Sequence, residues 1–214
     1  MKRVLYIIVT LSMLSCGTNP KQTENETVEQ TECKAVEQAE HEAVDLGLSV
    51  NWATTNLESG QYDICGGYYP WGSTTTQPIY DMAHCSALDL KRTNISGDIQ
   101  YDAATKSLGG GWRLPTVVEF NELVRCCRWQ WTRQNDVNGY NVTGPNGNSI
   151  FLPCGGQVSF TTLYYFDESG CYWTGSSDQS IEQTAYMMIL TEDNIDERSM
   201  SRVLGANIRP VFDK

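Results

Sequence analysis

The stretch Gly109-Gly110-Gly111-Trp112-Arg113-Leu114-Pro115-Thr116 (GGGWRLPT) predicts where the principal helix of the chain begins. Proline disfavours helical backbone in the residue before it, so the chain entering this point is extended. Thr116 can then cap the helix, and Glu119, three residues later, completes a capping box. Apolar side chains follow at intervals of three and four residues, at Phe120, Leu123, Val124 and Cys127. This spacing predicts a helix with one apolar face.

The residues on either side of this helix are dominated by short β patterns. A second, shorter helix is predicted near residues 103–108. Alternating apolar and polar residues predict strands at 44–50, 128–132, 140–143, 149–152, 171–176, 185–191 and 208–212. The Asn-Gly pairs within 136–139 and 145–148 predict hairpin turns. A chain with many strands and one or two helices belongs to the α+β class.

Several blocks of the sequence resemble a known family in the same order along the chain. They are residues 44–53, Tyr68-Tyr69-Pro70-Trp71-Gly72, 101–104, the GGGWRLPT stretch with Glu119-Phe120, 144–153, 172–176 and Ile208-Arg209-Pro210-Val211. Together they are similar to the signature of the Fibrobacter succinogenes major paralogous domain. The resemblance covers nearly all of residues 43–214, which by length form one domain.

The resemblance implies a C-type-lectin-like fold, a twisted antiparallel sheet with one or two helices. The same fold is found in formylglycine-generating enzymes and in the receptor-binding domains that diversity-generating retroelements vary. In such folds the early helix packs beneath the sheet, and the N- and C-terminal strands meet. The resemblance also implies that Trp112, Trp173 and Arg209 are framework residues, with buried rings and a guanidinium bonded to loop carbonyls.

The N-terminus is typical of an exported bacterial lipoprotein. Lys2 and Arg3 precede an apolar run at residues 4–14, which is too short to cross a bilayer as a helix. The run ends in Met13-Leu14-Ser15-Cys16-Gly17, which resembles a lipobox cut before Cys16. Residues 1–15 are therefore predicted to be the signal peptide, and Cys16 the lipid attachment site. We expect the mature chain to be lipid-anchored in the cell envelope, at the outer membrane. The sequence leaves open whether it lies on the surface or on the periplasmic face.

Residues 16–42 are predicted to be an acidic flexible tether, because large apolar residues are almost absent from them. The whole chain carries a formal net charge of −11 and has no basic stripe, which disfavours nucleic acid as a partner. Apart from Cys16 there are seven cysteines, so an odd thiol remains and the disulfide pairing is open. They are Cys33, Cys65, Cys85, Cys126, Cys127, Cys154 and Cys171. No Cys-x-x-Cys motif is present, and neither a metal nor a cofactor is predicted.

The function predicted for the domain is non-catalytic binding of an extracellular protein or glycan. Six tryptophans and eleven tyrosines supply flat surfaces for recognition, although many are expected in the framework. Trp129 and Trp131 share one side of a strand and are expected to be buried together. The alternative is a structural or assembly subunit of a surface complex. A formylglycine-generating activity is disfavoured, because no cysteine follows Cys171 to form the late copper-binding pair of those enzymes.

The resemblance places a binding site between the Tyr172–Ser176 block and the terminal Ile-Arg-Pro-Val. The candidate ligand-binding residues there are Ser177, Asp178, Tyr186, Arg198, Arg202 and Asn207. The sugar-binding triplets Glu-Pro-Asn and Gln-Pro-Asp of C-type lectins are missing from the sequence. The acidic residues at 192–197 are expected to form a solvated loop, so calcium is not predicted.

Overall fold

A computed structural model describes residues 42–60 and 63–214 of the chain. The predicted signal peptide, Cys16 and nearly all of the predicted tether lie outside these residues. The helices are α1 (Ala103–Leu108) and α2 (Val117–Cys126). The strands are β1 (Ala43–Val44), β2 (Asn51–Ala53), β3 (Trp112–Arg113), β4 (Arg128–Gln134), β5 (Val137–Thr143), β6 (Ser149–Pro153), β7 (Gln157–Ser159), β8 (Thr162–Tyr164), β9 (Gly170–Ser177), β10 (Thr184–Leu190), β11 (Ile195–Ser201) and β12 (Val211–Phe212). In this part of the chain, no helix has the length and apolar character needed to cross a membrane.

Both predicted helices are confirmed. The Thr116 hydroxyl accepts from the backbone N–H of Glu119, and the Glu119 carboxylate accepts from the backbone N–H of Thr116 at 2.7 Å. This is the predicted capping box, and α2 begins directly after it. The shorter helix α1 spans the predicted range, and the buried Asp102 caps it by accepting from the N–H groups of Ala104 and Thr105. Local signals therefore place both helices correctly.

The strands form antiparallel sheets, which confirms the α+β class. The two ends of the domain meet in a sheet ordered β1-β2-β12-β3, in which Trp52 lies opposite Val211. Two three-stranded sheets follow, ordered β4-β5-β6 and β11-β10-β9. The short strands β7 and β8 form a separate hairpin. The helix α2 contacts β9 and β10, so it packs against the sheet of the second half of the chain.

One local strand prediction and one turn prediction were wrong. Residues 45–50 form no strand, and residues 47–50 are bends, because Gly47 adopts a φ of 79° and donates its N–H to Asp45. Exposed and buried residues nevertheless alternate along this segment. The first hairpin turn lies at Asn135 and Asp136, both with positive φ, and not at the Asn-Gly pair. Gly139 instead lies within β5, where a Cβ would collide with the Leu152 carbonyl.

Other strands differ from prediction because their pairing depends on distant parts of the chain. The second half of the acidic stretch expected to be a loop begins β11, which pairs with β10 along its whole length. The last strand is shorter than predicted and contains only Val211 and Phe212. The pair β7–β8 was not predicted at all. The strand β11 and the pair β7–β8 lie at sheet edges, where burial is too small to impose a clear hydrophobic pattern. The strand β12 lies inside its sheet, between β2 and β3.

The core consists of two clusters that share β9 and β10. In the first, Trp52 packs edge-to-face on Phe120 of α2, with ring centroids 5.2 Å apart. In the second, Trp71 and Trp173 pack against Met187 of β10. Tyr172 and Trp173 are adjacent in β9 and point to opposite clusters. This alternation shows that the strand is buried on both faces.

The expected framework residues are found in part. Trp173 is buried and its indole N–H donates to the Tyr69 carbonyl, while Arg209 is buried against loop carbonyls. Trp112 is only half-buried, and its ring packs edge-to-face on Phe212, so the prediction of a buried ring there was wrong. Trp129 and Trp131 do share one side, where both contact the Tyr140 ring, but both are half-buried. A strand at a sheet edge cannot cover large rings completely.

Candidate functional site: an exposed aromatic hairpin

An uncharged hairpin rich in aromatic residues protrudes between β6 and β9. It contains β7, the two-residue turn Phe160-Thr161, β8, and then Tyr165 and Phe166. We call residues 157–166 the aromatic hairpin. Their sequence, QVSFTTLYYF, contains no ionisable acid or base other than the two tyrosines. Its strands pair in antiparallel register, with Ser159 opposite Thr162.

The turn of the aromatic hairpin holds a bulky residue in a backbone conformation that favours glycine. Phe160 has a φ of 53°, whereas Thr161 has no positive φ. This pattern of signs is that of a type II′ turn, in which the first central residue is normally glycine. A large side chain at positive φ costs about 1–3 kcal/mol unless the surroundings over-determine it. Reciprocal backbone hydrogen bonds with Tyr80, of 3.0 and 2.9 Å, fix Phe160 in this conformation.

The base of the aromatic hairpin is anchored to the domain by backbone contacts. Val158 exchanges two hydrogen bonds with Gly205, of 2.7 and 2.9 Å. Gly156, at a φ of 72°, approaches the Tyr164 carbonyl so closely that a Cβ would collide with it. The Tyr80 hydroxyl donates to the Tyr68 carbonyl at 2.7 Å. The hairpin is therefore held in one position although most of its side chains face solvent.

The exposed apolar surface is concentrated on this element. The exposed fractions are 64% for Phe160, 44% for Leu163, 44% for Tyr164, 56% for Tyr165 and 47% for Phe166. Near the turn lies an open cleft of about 290 Å³, lined by Tyr80, Asp81, Met82, Ala83, Ser159, Phe160 and Val203. Contiguous exposed apolar patches on a folded domain mark interaction sites, whereas isolated apolar residues do not.

Two acids near the aromatic hairpin, Asp167 and Asp81, are paired within the protein, whereas the neighbouring Glu168 is exposed. Asp167 follows the hairpin directly and accepts from the Asn138 N–H at 2.6 Å and from the Arg133 guanidinium at 2.9 Å. These two contacts lower the pKa of Asp167. In the cleft, Asp81 contacts the His84 ring at 2.7 Å, and this hydrogen bond lowers the pKa of Asp81. These two pairings partly offset the negative charge near the aromatic hairpin, so this surface repels an acidic partner less than the net charge of the chain suggests.

One edge of the aromatic hairpin is open. The backbone N–H and C=O of Val158 are used by Gly205, so the pair Val158–Leu163 is a non-hydrogen-bonded pair of the β7–β8 ladder. The N–H and C=O of Leu163 therefore point away from β7, and no other residue of the described chain bonds to them. All three residues of β8 are exposed, so nothing in this region covers that edge.

Three of the six candidate ligand-binding residues lie together, and their polar groups are engaged by the protein. Ser177, Asp178 and Arg202 are buried at one end of the β9–β10–β11 sheet. The Ser177 hydroxyl donates to the Arg92 carbonyl, and Asp178 accepts from the hydroxyls of Ser180 and Ser199.

Arg202 has the strongest structural role in this group. Its guanidinium donates to the carbonyls of Thr184, Ala87, Leu88 and Leu90 and stacks on the Trp71 ring with its carbon 4.3 Å from the centroid. The polar groups of Ser177, Asp178 and Arg202 are thus occupied internally, and we reassign these three residues to the framework.

The remaining candidates lie in different environments. Asn207 is fully buried near Gly67, whose carbonyl accepts from its side chain, and it is away from the group around Asp178. Because it is fully buried, we reassign it to the framework, although its side-chain oxygen has no hydrogen-bond partner among the described residues. Tyr186 is half-buried opposite Ser199, and Arg198 is exposed and paired with Asp196. Ligand binding by Tyr186 and Arg198 stays a prediction.

All six described cysteines are free thiols. Burial raises the pKa of Cys65 and of Cys154 to about 12, and that of Cys171 to about 11. Thiols with raised pKa values are poor nucleophiles and poor metal ligands, because the thiolate is the reactive form. Within residues 42–60 and 63–214, no three or more His, Cys, Asp or Glu residues are grouped so as to hold a metal ion.

Comparison with known proteins found no family model, no curated protein and no solved structure that matches this chain. The candidate site therefore rests on the chain's own geometry. The sequence did contain a signal for it, because Phe160 to Phe166 combine high β propensity with no charge and no proline. Only the structure places these residues on the surface and not in the core.

Proposed function

We propose that this chain is a lipid-anchored envelope protein whose C-type-lectin-like domain binds another protein through the aromatic hairpin and has no catalytic role. The observation that carries the proposal is that the aromatic hairpin is uncharged and exposed to solvent. In its turn, Phe160 is held at a positive φ. Strained backbone and exposed apolar surface each have a cost, and both are typical of recognition sites.

The lectin-like part of the proposal is supported by the arrangement of the ends and of the principal helix. Strands from the beginning and the end of the domain pair directly, with Trp52 opposite Val211. The helix α2 packs on β9 and β10, as the family resemblance implies. Loops and hairpins carried by such a rigid sheet are well placed for recognition.

A protein partner fits the aromatic hairpin better than a glycan. Sugar sites combine aromatic stacking with several convergent hydrogen-bonding side chains, because a sugar presents many hydroxyls. The exposed side chains of Phe160, Leu163 and Phe166 can form no hydrogen bonds, and the nearby Asp167 is already engaged by Arg133. Apolar side chains with an open strand edge match the surface of a protein, in which both features recur.

Photocrosslinking in membranes tests the proposal. A benzoylphenylalanine at position 164, in the full chain in its native membranes, should give adducts of higher mass on irradiation. The matched control places the same group at Val118, a residue on α2 that is 68% exposed and lies outside the aromatic hairpin. Adducts from position 164 alone that are removed by protease support a protein partner. Adducts removed only by glycosidases, or none, would overturn it.

A further inference from the structure

We propose that the partner of the aromatic hairpin is a second copy of this chain, bound through antiparallel pairing of the two β8 strands across a two-fold axis at Leu163. The product would be one four-stranded sheet, ordered β7-β8-β8-β7 over two copies. This inference rests on the proposed function, because it takes the aromatic hairpin to be a protein-binding surface.

The backbone of β8 is suited to pairing with itself. Leu163 presents both its N–H and its C=O to the open edge. In an antiparallel pair, two residues that face each other in this way exchange two hydrogen bonds. If Leu163 of one copy lies opposite Leu163 of the second, the arrangement is its own two-fold image. Thr162 of each copy then lies opposite Tyr164 of the other, so every residue of this short strand has a cross-strand neighbour.

Two other edge strands of the domain carry charges that oppose pairing, whereas β8 carries none. Edge strands commonly avoid association by carrying exposed charges. The edge strand β11 carries Asp196, Glu197 and Arg198, and the edge strand β4 carries exposed Arg128 and Arg133. By contrast, β8 reads Thr-Leu-Tyr, has no charge or proline, and is exposed on both faces. The open edge of β8 therefore lacks this protection and is surrounded by exposed apolar side chains.

The area and the charge are compatible with two copies. Five side chains of the aromatic hairpin each expose about half of ~200 Å², so two copies could bury about 1,000 Å², near the lower limit for a specific interface. The chain has a net charge of −11, so two copies repel each other overall. The aromatic hairpin adds no charge of its own to this repulsion, and Asp167 beside it is paired with Arg133.

Site-directed disulfide formation tests both the partner and the register. In the hydrogen-bonded pair the two Leu163 Cα atoms would be about 5.5 Å apart, within disulfide range. The full chain in membranes, with Cys33, Cys126 and Cys127 replaced by Ser, should give a reducible dimer when Leu163→Cys is oxidised by copper phenanthroline. The matched control is Tyr164→Cys, equally exposed, whose two copies would lie beyond disulfide range in this register. We expect at least tenfold less dimer from it.

A second pair of variants keeps the test decisive if Leu163→Cys accumulates poorly. Chains carrying Thr162→Cys and chains carrying Tyr164→Cys, produced together with different tags, should cross-link to each other more than to themselves. Equal cross-linking of all variants would indicate random collision and would overturn the inference. Photocrosslinking to a different protein without a Leu163→Cys dimer would overturn it and leave the proposed function standing. Absence of any adduct and of any dimer would overturn both.

Discussion

Arg209 is a buried cation surrounded by neutral oxygen atoms. Its guanidinium donates to the Asn56 side chain and to the carbonyls of Ala53, Thr54 and Phe151, at 2.7 to 2.9 Å. Burial lowers its pKa to about 10, so the group stays charged at neutral pH. It connects the segment after β2 with β6 and the end of the chain. A single side chain thus joins three distant parts of the domain.

Replacing Arg209 should be strongly destabilising. Arg209→Met leaves several buried carbonyls without donors, and each such group costs about 1–3 kcal/mol. We expect the free energy of unfolding, measured in urea, to fall by more than about 3 kcal/mol. Arg198→Met is the control, because Arg198 is exposed and should change the value by less than about 0.5 kcal/mol. Similar losses for the two variants would refute the role assigned to Arg209.

Phe160 offers a test at the scale of one residue in the aromatic hairpin. Phe160→Gly removes the cost of a bulky residue at a φ of 53°, so we expect the free energy of unfolding to stay equal or to rise by about 1 kcal/mol. Thr161→Gly, at the neighbouring position without positive φ, should lower it by about 0.5–1 kcal/mol. Thermal unfolding at low protein concentration measures both. A larger loss from Phe160→Gly would mean that its ring supports the fold.

The start of α2 is the element in which charge and local structure are coupled most closely. Burial opposes the charge on Glu119, but its hydrogen bonds with Arg113 and Thr116 outweigh that effect, and its pKa is lowered. Arg113 donates to both carboxylate oxygens, at 2.9 and 2.6 Å. Because the folded pKa is lowered, the stabilisation is fully present above the ordinary value of about 4.3 and is lost as the pH falls through the folded value.

Glu119→Gln should therefore have an effect that depends on pH. We expect the free energy of unfolding of the variant to be about 1–3 kcal/mol lower at pH 7, because the charge-assisted bonds to Arg113 are lost. The difference should shrink toward zero as the pH falls through the lowered pKa of Glu119. Urea unfolding at pH 7, 5 and 3 measures it. Glu168→Gln, at an exposed position, is the control and should show no difference at any pH. A difference in the free energy of unfolding that stays the same at all three pH values would contradict this account.

On the scale of the whole molecule, the domain is closed by pairing of its two ends, and its apolar surface is concentrated in one hairpin. The sheet β1-β2-β12-β3 joins residues near 43 to residues near 212. If the chain is lipid-anchored at Cys16, copies share one membrane surface, and their effective concentration is high. A small interface can then associate although it would be weak in solution.

The lipid anchor can be tested directly on the full chain. Cells that produce it in a lipoprotein-processing bacterium should incorporate labelled palmitate into the protein, and Cys16→Ala should abolish the label. Cys33→Ala is the matched control and should keep it, since it removes a cysteine outside the lipobox-like stretch. Autoradiography of the purified protein measures the incorporation. Labelling that survives Cys16→Ala would exclude Cys16 as the attachment site.

Sequence alone determined the features that depend on neighbouring residues. The start of α2 at Thr116, the helix after Asp102 and the strands around Tyr140 follow from caps, spacing and alternation within a few residues. The tertiary structure decided which polar residues are accessible. Arg202 and Asn207 were expected at a binding surface, but both are buried, and their side chains donate to carbonyls of distant residues. It also decided that the aromatic run from Phe160 lies outside, because exposure depends on what the rest of the chain covers, which no local pattern records.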